Sequence, residues 1–181
     1  DQVLTARLLR LVNSSFYGFP QKISTVTGAI VLLGFDAIRN LLLTTSVFEM
    51  FSGSGRKAQH LQEKLWDHSL GCAVGAKVIG TVIRYEKVED LVYAGLLHDI
   101  GKIVEMIYMP TEFKRASRMA VDEKILILQA EEQVFSFTHA RVGQLLAKRW
   151  NLPNKLENII AYHHSPEKAG RFSLEAGIVP V

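Results

Sequence analysis

Apolar residues recur every three or four positions along most of this chain, and no run alternates apolar with polar residues for long enough to demand a sheet. That periodicity restricts the fold to packed helices. In LTARLLRLVN, Leu4, Leu8 and Leu11 share one face while Arg7 and Arg10 lie elsewhere. Gly18 and Pro20 break the pattern in SSFYGFPQK; Ser24 or Thr25 can cap a second helix running to Gly34, and Asp36 a third running to about Phe51. SGSGRK has a linker's composition. Beyond it, LQEKLWDHSLGCAVGAKVIGTVIR reads as one long helix whose Gly71, Ala73, Gly75 and Ala76 let neighbours approach closely. Glu89 or Asp90 opens the next helix, and Pro110 and Asp122 open two more. Thr138 caps THARVGQLLAKRW, with an apolar face through Val142, Leu145 and Leu146, and Pro153 begins the turn into LENIIAYHH. The expected architecture is all-α and two-lobed, with residues 1–55 as an N-terminal helical lobe and 56–181 as a helical bundle.

Composition narrows the function classes. A chain of 181 residues, 48% hydrophobic and 22% charged, suits a soluble globular protein with one substantial core. A net charge of +3 is too small to argue for nucleic acid, and a solvated helix face explains Lys114, Arg115 and Arg118. Cys72 is the single cysteine, so no intrachain disulfide forms and a reducing, cytoplasmic setting is expected. The longest apolar stretch is broken by Asp36 and Arg39, which argues against a membrane span. The opening DQVLTARLLR, already helical and without Met, reads as part of a longer protein.

The segment YAGLLHDIGKIVE, residues 93–105, conflicts with ordinary packing. Its apolar positions keep helical spacing, yet His98, Asp99 and Lys102 interrupt them, and burying those groups is costly unless they are paired. On a continuous helix His98 and Asp99 diverge by about 100°. Five of the six histidines (His68, His98, His139, His163 and His164) fall on or at the ends of helices in the second lobe. Together with Asp99 they could converge on one metal, or Asp99 could bridge two. Imidazole and carboxylate suit Fe, Mn, Zn or Ni, and no second cysteine offers a competing thiolate site. The plainer reading is that Asp99 accepts a hydrogen bond from His68 or caps an amide, and that Lys102 pairs with Asp99 or Glu105 along the helix.

Order and context add a resemblance. WDHS, YAGLLHDIGK and HARVGQLLAKRWNLP…IIAYHHSP, preceded by LTARLLRLVNSSFYGF and ISTVTGAIVLLGFDAIRNLLL, resemble the HDOD domain over nearly all of residues 3–166. That bacterial regulatory domain is related to the HD superfamily of metal-dependent phosphohydrolases. The resemblance implies an HD-like bundle in the second lobe. It implies that His68, His98 and Asp99 match the first metal-holding group, and that His139, His163 and His164 match the histidines added in the HD-GYP branch, which hydrolyses cyclic di-GMP. Lys102 matches the lysine beside the phosphate. The chain departs from the pattern in two places. HH is followed by SPEKAGR and no Gly-Tyr-Pro, and after His164 come only Glu167 and Glu175 where a closing aspartate is expected.

Two functions follow as expectations. The first is a non-catalytic signal-transduction output module that acts on a protein partner or signalling component and keeps a His/Asp pocket for a divalent transition metal, with no organic cofactor. Phe16, Tyr17 and Phe19 then either offer a binding surface or staple their loop to the core. The second is a metal-dependent phosphohydrolase in which Asp99 and Lys102 are catalytic. Oligomeric state is left open, because amphipathic helices bury their stripes equally well within or between chains.

Overall fold

In the computed structural model, which describes residues 2–13, 17–35, 37–39, 41–42, 46 and 56–179, all regular structure among the described residues is helical. The chain divides into two compact units, Asp1–Gly53 and Ser54–Val181.

In the first unit, α1 (Gln2–Val12) and α2 (Val26–Leu33) pack together. Thr25, not Ser24, supplies the cap: its side chain accepts from the Gly28 amide at 3.0 Å. Gly34 ends α2 at φ 86, as expected of a residue without Cβ. The Asn13 side chain holds the intervening loop by donating to the Ile23 carbonyl and accepting from its amide, both at 2.7 Å. Tyr17 and Phe19, half-buried, stack on each other with centroids 6.0 Å apart. Leu8, Val12, Ile23, Ala29 and Ile38 are buried. The expected cap at Asp36, the helix end near Phe51, and the side chains of Leu4, Arg7, Leu11, Phe16 and His60 lie outside the described residues.

The second unit contains α3 (Arg56–Val82), α4 (Val88–Leu97), α5 (Ile100–Tyr108), α6 (Pro110–Asp122), α7 (Ile127–Phe135), α8 (His139–Arg149) and α9 (Asn154–Tyr162). Two 3-10 turns and α10 (Ser173–Ile178) follow. α3 runs along α4, α5 packs on α8, and α8 on α9. Tyr93, Leu91, Leu97, Ile103, Ile159 and Ile160 are fully buried between them, each contributing about 1.5–3 kcal/mol.

Three expectations are corrected. Residues 93–105 are not one helix: α4 ends at Leu97, and Asp99, at φ −96 and ψ 13, turns the chain before α5 begins. Asp122 ends a helix and does not open one. Lys124 takes a left-handed φ of 55, and α7 is capped at Leu126, whose amide donates to the Gln129 side chain at 3.0 Å. Leu145 is 54% exposed; the buried face of α8 is His139, Ala140, Gly143 and Ala147, and α5 approaches its backbone closely there, a Cβ on Gly101 standing 2.9 Å from the Gly143 nitrogen. α4 itself begins at Val88, with Glu89 and Asp90 in its first turn.

The small residues of α3 act as foreseen at one place above others. A Cβ on Gly95 would stand 2.6 Å from the Ala73 Cα, so α4 rests directly on the α3 backbone. Gly95→Ala should therefore destabilise this unit by about 1–3 kcal/mol. Gly71→Ala, on the exposed face of the same contact helix with nothing within 4 Å, should be neutral or stabilising by about 0.5–1 kcal/mol. Both tryptophans, Trp66 and Trp150, lie in this unit, so their fluorescence during urea unfolding reads the difference.

Candidate metal centre

The turn at His98–Asp99 solves the divergence that a continuous helix imposes. Both residues are 1% exposed, with His98 Nε2 3.4 Å from Asp99 Oδ2. α3 carries His68 to the same oxygen, also at 3.4 Å. α8 begins with His139, whose Nε2 is 3.2 Å from Asp99 Oδ1, and the loosened end of α9 brings His163 Nε2 to 3.6 Å. His164, the next residue, places its Nε2 3.1 Å from that of His139. All six residues expected in the pocket, His68, His98, Asp99, His139, His163 and His164, meet around one carboxylate. Lys102 closes one side, its Nζ 2.6 Å from Asp99 Oδ2. Of the plainer alternatives, Asp99 makes no capping bond to α5, while Lys102 does pair with it.

Three imidazoles are locked in one tautomer by groups outside the cluster. His98 Nδ1 donates to the Gly95 carbonyl at 2.8 Å, and His163 Nδ1 to the Ile160 carbonyl at 2.9 Å. His139 Nδ1 donates to Glu131 at 2.7 Å. Each Nε2 lone pair is thereby aimed inward, the arrangement that presents histidine to a metal. His139 and His163 then face one another, Nε2 to Nε2, at 3.3 Å. Asp99 Oδ1, though flanked by imidazoles, forms no aligned hydrogen bond. Acceptor facing acceptor in a dry site requires a proton or a cation between them.

The spacings fit a cation. Donors bound at 2.0–2.2 Å to one tetrahedral ion stand about 3.4 Å apart; His139 lies 3.1–3.3 Å from His164, Asp99 and His163, His163 lies 3.6 Å from Asp99, and all four donor atoms are within 4.8 Å of one another. These four residues form a group that could hold a metal ion.

Electrostatics agree with the geometry. Burial alone would raise the Asp99 carboxyl, but the imidazoles of His139, His163 and His68 beside it outweigh burial and hold Asp99 well below the ordinary range, ionised. Burial lowers His98 to about 4 and, together with neighbouring His163 and His139, His164 to about 3, so both are neutral at pH 7. For His139 burial works downward, yet Asp99 and Glu131 prevail and its value is raised. Asp99 and Glu131 thus favour a proton on His139.

Sequence reasoning missed Glu131. It is fully buried and accepts from both the His139 amide, at 2.9 Å, and Nδ1. Ser136 makes this possible by adopting a left-handed φ of 63, which folds the chain back eight residues. The one available signal was a carboxylate on the stripe that also bears Ile127 and Val134. Glu105 was also unforeseen as a buried group. Its side chain is sealed with neither oxygen hydrogen-bonded, and burial, with Glu131 adding to it, raises its pKa to about 8. The acids after His164 stand apart: Glu167 is exposed in a 3-10 turn, and Glu175 accepts from the Tyr85 hydroxyl at 2.6 Å.

Fold and site together define a class, an all-α domain in which histidines from one long helix and from three helix ends gather around one buried aspartate. The HDOD domain family matches residues 1–166, and the chain belongs to that family. The structure of an HDOD domain protein of unknown function from Geobacter sulfurreducens is similar with a TM-score of 0.80 and 34% identity, covering 99% of this chain and 60% of that one. A protein from Shewanella amazonensis SB2B, provisionally named a phosphohydrolase, gives a TM-score of 0.77 at 25% identity, covering 99% of this chain and 62% of that one. An uncharacterised protein of Treponema pallidum is 28% identical over 172 residues, 91% of this chain and 32% of the relative. The chain thus spans less than two thirds of these relatives. No helix among the described residues is long and apolar enough to cross a membrane.

Two predictions follow from this geometry. Glu131→Gln leaves one acceptor oxygen for two donors, so it should weaken divalent-metal binding about 10- to 100-fold. In calorimetry, wild-type binding should release about one proton, with affinity falling as pH drops below the raised His139 value, because the ligand nitrogen must be deprotonated. The second concerns Glu105. Its folded-state pKa lies above the unfolded value, so folding takes up a proton between about pH 4.5 and about 8, and stability falls as pH rises through that window. Glu105→Gln should therefore stabilise the protein by roughly 2–4 kcal/mol at pH 8 and little at pH 5; thermal melts at the two values measure it.

Proposed function

We propose that this HDOD domain is a non-catalytic regulatory module whose second unit is clamped by a divalent transition metal, and that its state is passed to a protein partner. One observation carries the reading: Asp99, His139, His163 and His164 offer four donor atoms, all within 4.8 Å of one another. Structural sites are closed in this way, whereas catalytic zinc sites keep a position open. The acids after His164 support it, since neither Glu167 nor Glu175 joins the cluster. The proposed ion would be Fe, Mn, Zn or Ni, held between the α4–α5 turn, the start of α8 and the end of α9.

A second reading, metal-dependent phosphohydrolysis, is favoured by a cleft of about 390 Å³ that reaches His164 and is lined by Thr138, Ser165 and Lys168. The Shewanella protein's provisional name points the same way. A bound ion would polarise a phosphoryl oxygen and acidify water. Asp99 would hold that ion and orient the attacking water, and Lys102 would leave Asp99 to neutralise phosphate charge. In the structure Lys102 is already committed to Asp99.

Protein purified without added metal should contain at least one transition ion per chain, and chelation should lower its melting temperature. A panel of phosphodiesters, cyclic di-GMP included, should remain intact with Fe, Mn, Zn or Ni supplied. Hydrolysis that disappears in His98→Ala would establish the second reading, and protein that takes up none of the four metals would remove both.

A further inference from the structure

The C-terminal half of α3 carries an apolar stripe that stays exposed. Val74 is 43% exposed, Val78 58% and Val82 76%, and Ile83 adds 46% in the turn that follows. With Gly71, where an added Cβ would meet nothing within 4 Å, the three valines recur at intervals of three and four residues. That is the spacing of a seam between two helices. The other side of α3 is already used, since Cys72, Ala73 and Ala76 are buried and α4 packs along the helix. Helix propensity does not account for the valines either. A β-branched residue is a poorer helix former than Lys, Glu or Ala, so valine on three successive solvated turns has neither propensity nor burial in its favour.

The charges at the two ends of the stripe say what covers it. Lys64 and Asp67 precede it, and Arg84 and Glu86 follow it; all four are exposed and have no ion-pair partner among the described residues. We propose that the stripe is the contact of a symmetric, antiparallel dimer of this chain. A two-fold axis midway between Val74 and Val78 sets each against the other in the second copy and brings Val82 to the hollow at Gly71. The same axis brings Asp67 to Arg84 and Lys64 to Glu86 of the second copy, each pair occurring twice. Parallel pairing would oppose like charges, so charge selects the antiparallel arrangement. From Asp67 to Val82 the helix is about 24 Å long. A pair of that length buries roughly 500 Å² per copy, less than a standard interface and suited to a reversible dimer of micromolar affinity. The interface stands without the metal reading, although α3 also carries His68 to Asp99, so pocket and interface share a helix.

The test is sedimentation velocity on the whole chain from about 1 μM to about 1 mM. Wild-type protein should pass from monomer to dimer across that range. Val78→Glu should weaken the dimer about 100-fold, by setting two carboxylates in the seam. Val121→Glu, at a 75% exposed valine of α6, should leave it unchanged. Asp67→Arg should weaken it about 10-fold, and adding Arg84→Asp to the same chain should restore it. Every substituted position is exposed, and circular dichroism checks that each variant keeps its helices. A chain that remains monomeric throughout, or a dimer indifferent to Val78→Glu, overturns the proposal. A dimer broken by Val78→Glu that the double charge reversal does not rescue overturns the antiparallel arrangement.

Discussion

The fold of the second unit turns on the charge of Asp99. Its carboxylate is sealed from solvent and ionised, and the effective cost of burying such an ion is several kcal/mol. Lys102 compensates one oxygen at 2.6 Å, and the other is left among imidazole nitrogens without an aligned donor. A single proton on His139 can answer part of that demand, and Glu131 stands behind it to stabilise the charge. Four helical segments are held by this one group: α3 through His68, the α4–α5 turn through His98, α8 through His139 and α9 through His163. Whatever positive charge occupies the centre therefore acts on the packing of the whole unit.

The residues of the centre were readable before the structure, whereas the geometry that makes them a centre was not. Histidine and aspartate in the company of apolar helix stripes stand out because burial penalises them, so His98, Asp99, His139 and His163 could be picked out by chemistry, and the exposed His68 and His164 by order alone. The break between α4 and α5 could not. Leu97, His98, Asp99 and Ile100 contain neither glycine nor proline, and propensity favours running straight through. Tertiary demand overrides it, since a continuous helix would send one of the two polar side chains away from the cluster. Leu145 failed for a related reason. Periodicity identifies a stripe, but the side used is set by how near α5 approaches, its Gly101 lying against the backbone of His139 and Gly143.

Glu131 shows what pattern reading cannot supply. Glu131 is distinguished from the exposed Glu132 beside it only by which way α7 is turned, a fact that depends on Ser136 and the return of the chain to His139. The decisive information is a contact between segments, and no single-helix period encodes it.

The same contacts bear on whether a centre of this kind would work as a clamp or as a catalyst. Hydrolysis needs a metal with a vacant position and a carboxylate able to respond when charge develops on phosphate. Here one carboxylate serves every donor in the cluster. Each charge it already balances, from Lys102, from a proton on His139 or from an ion, reduces what it can offer a reacting group. A clamp has no such requirement, because it gains from saturation: the more fully Asp99 is satisfied, the more rigidly the four segments are fixed relative to one another. Saturation of one shared carboxylate therefore favours holding helices over turning over substrate, and it ties occupancy of the pocket to the surface that those helices present.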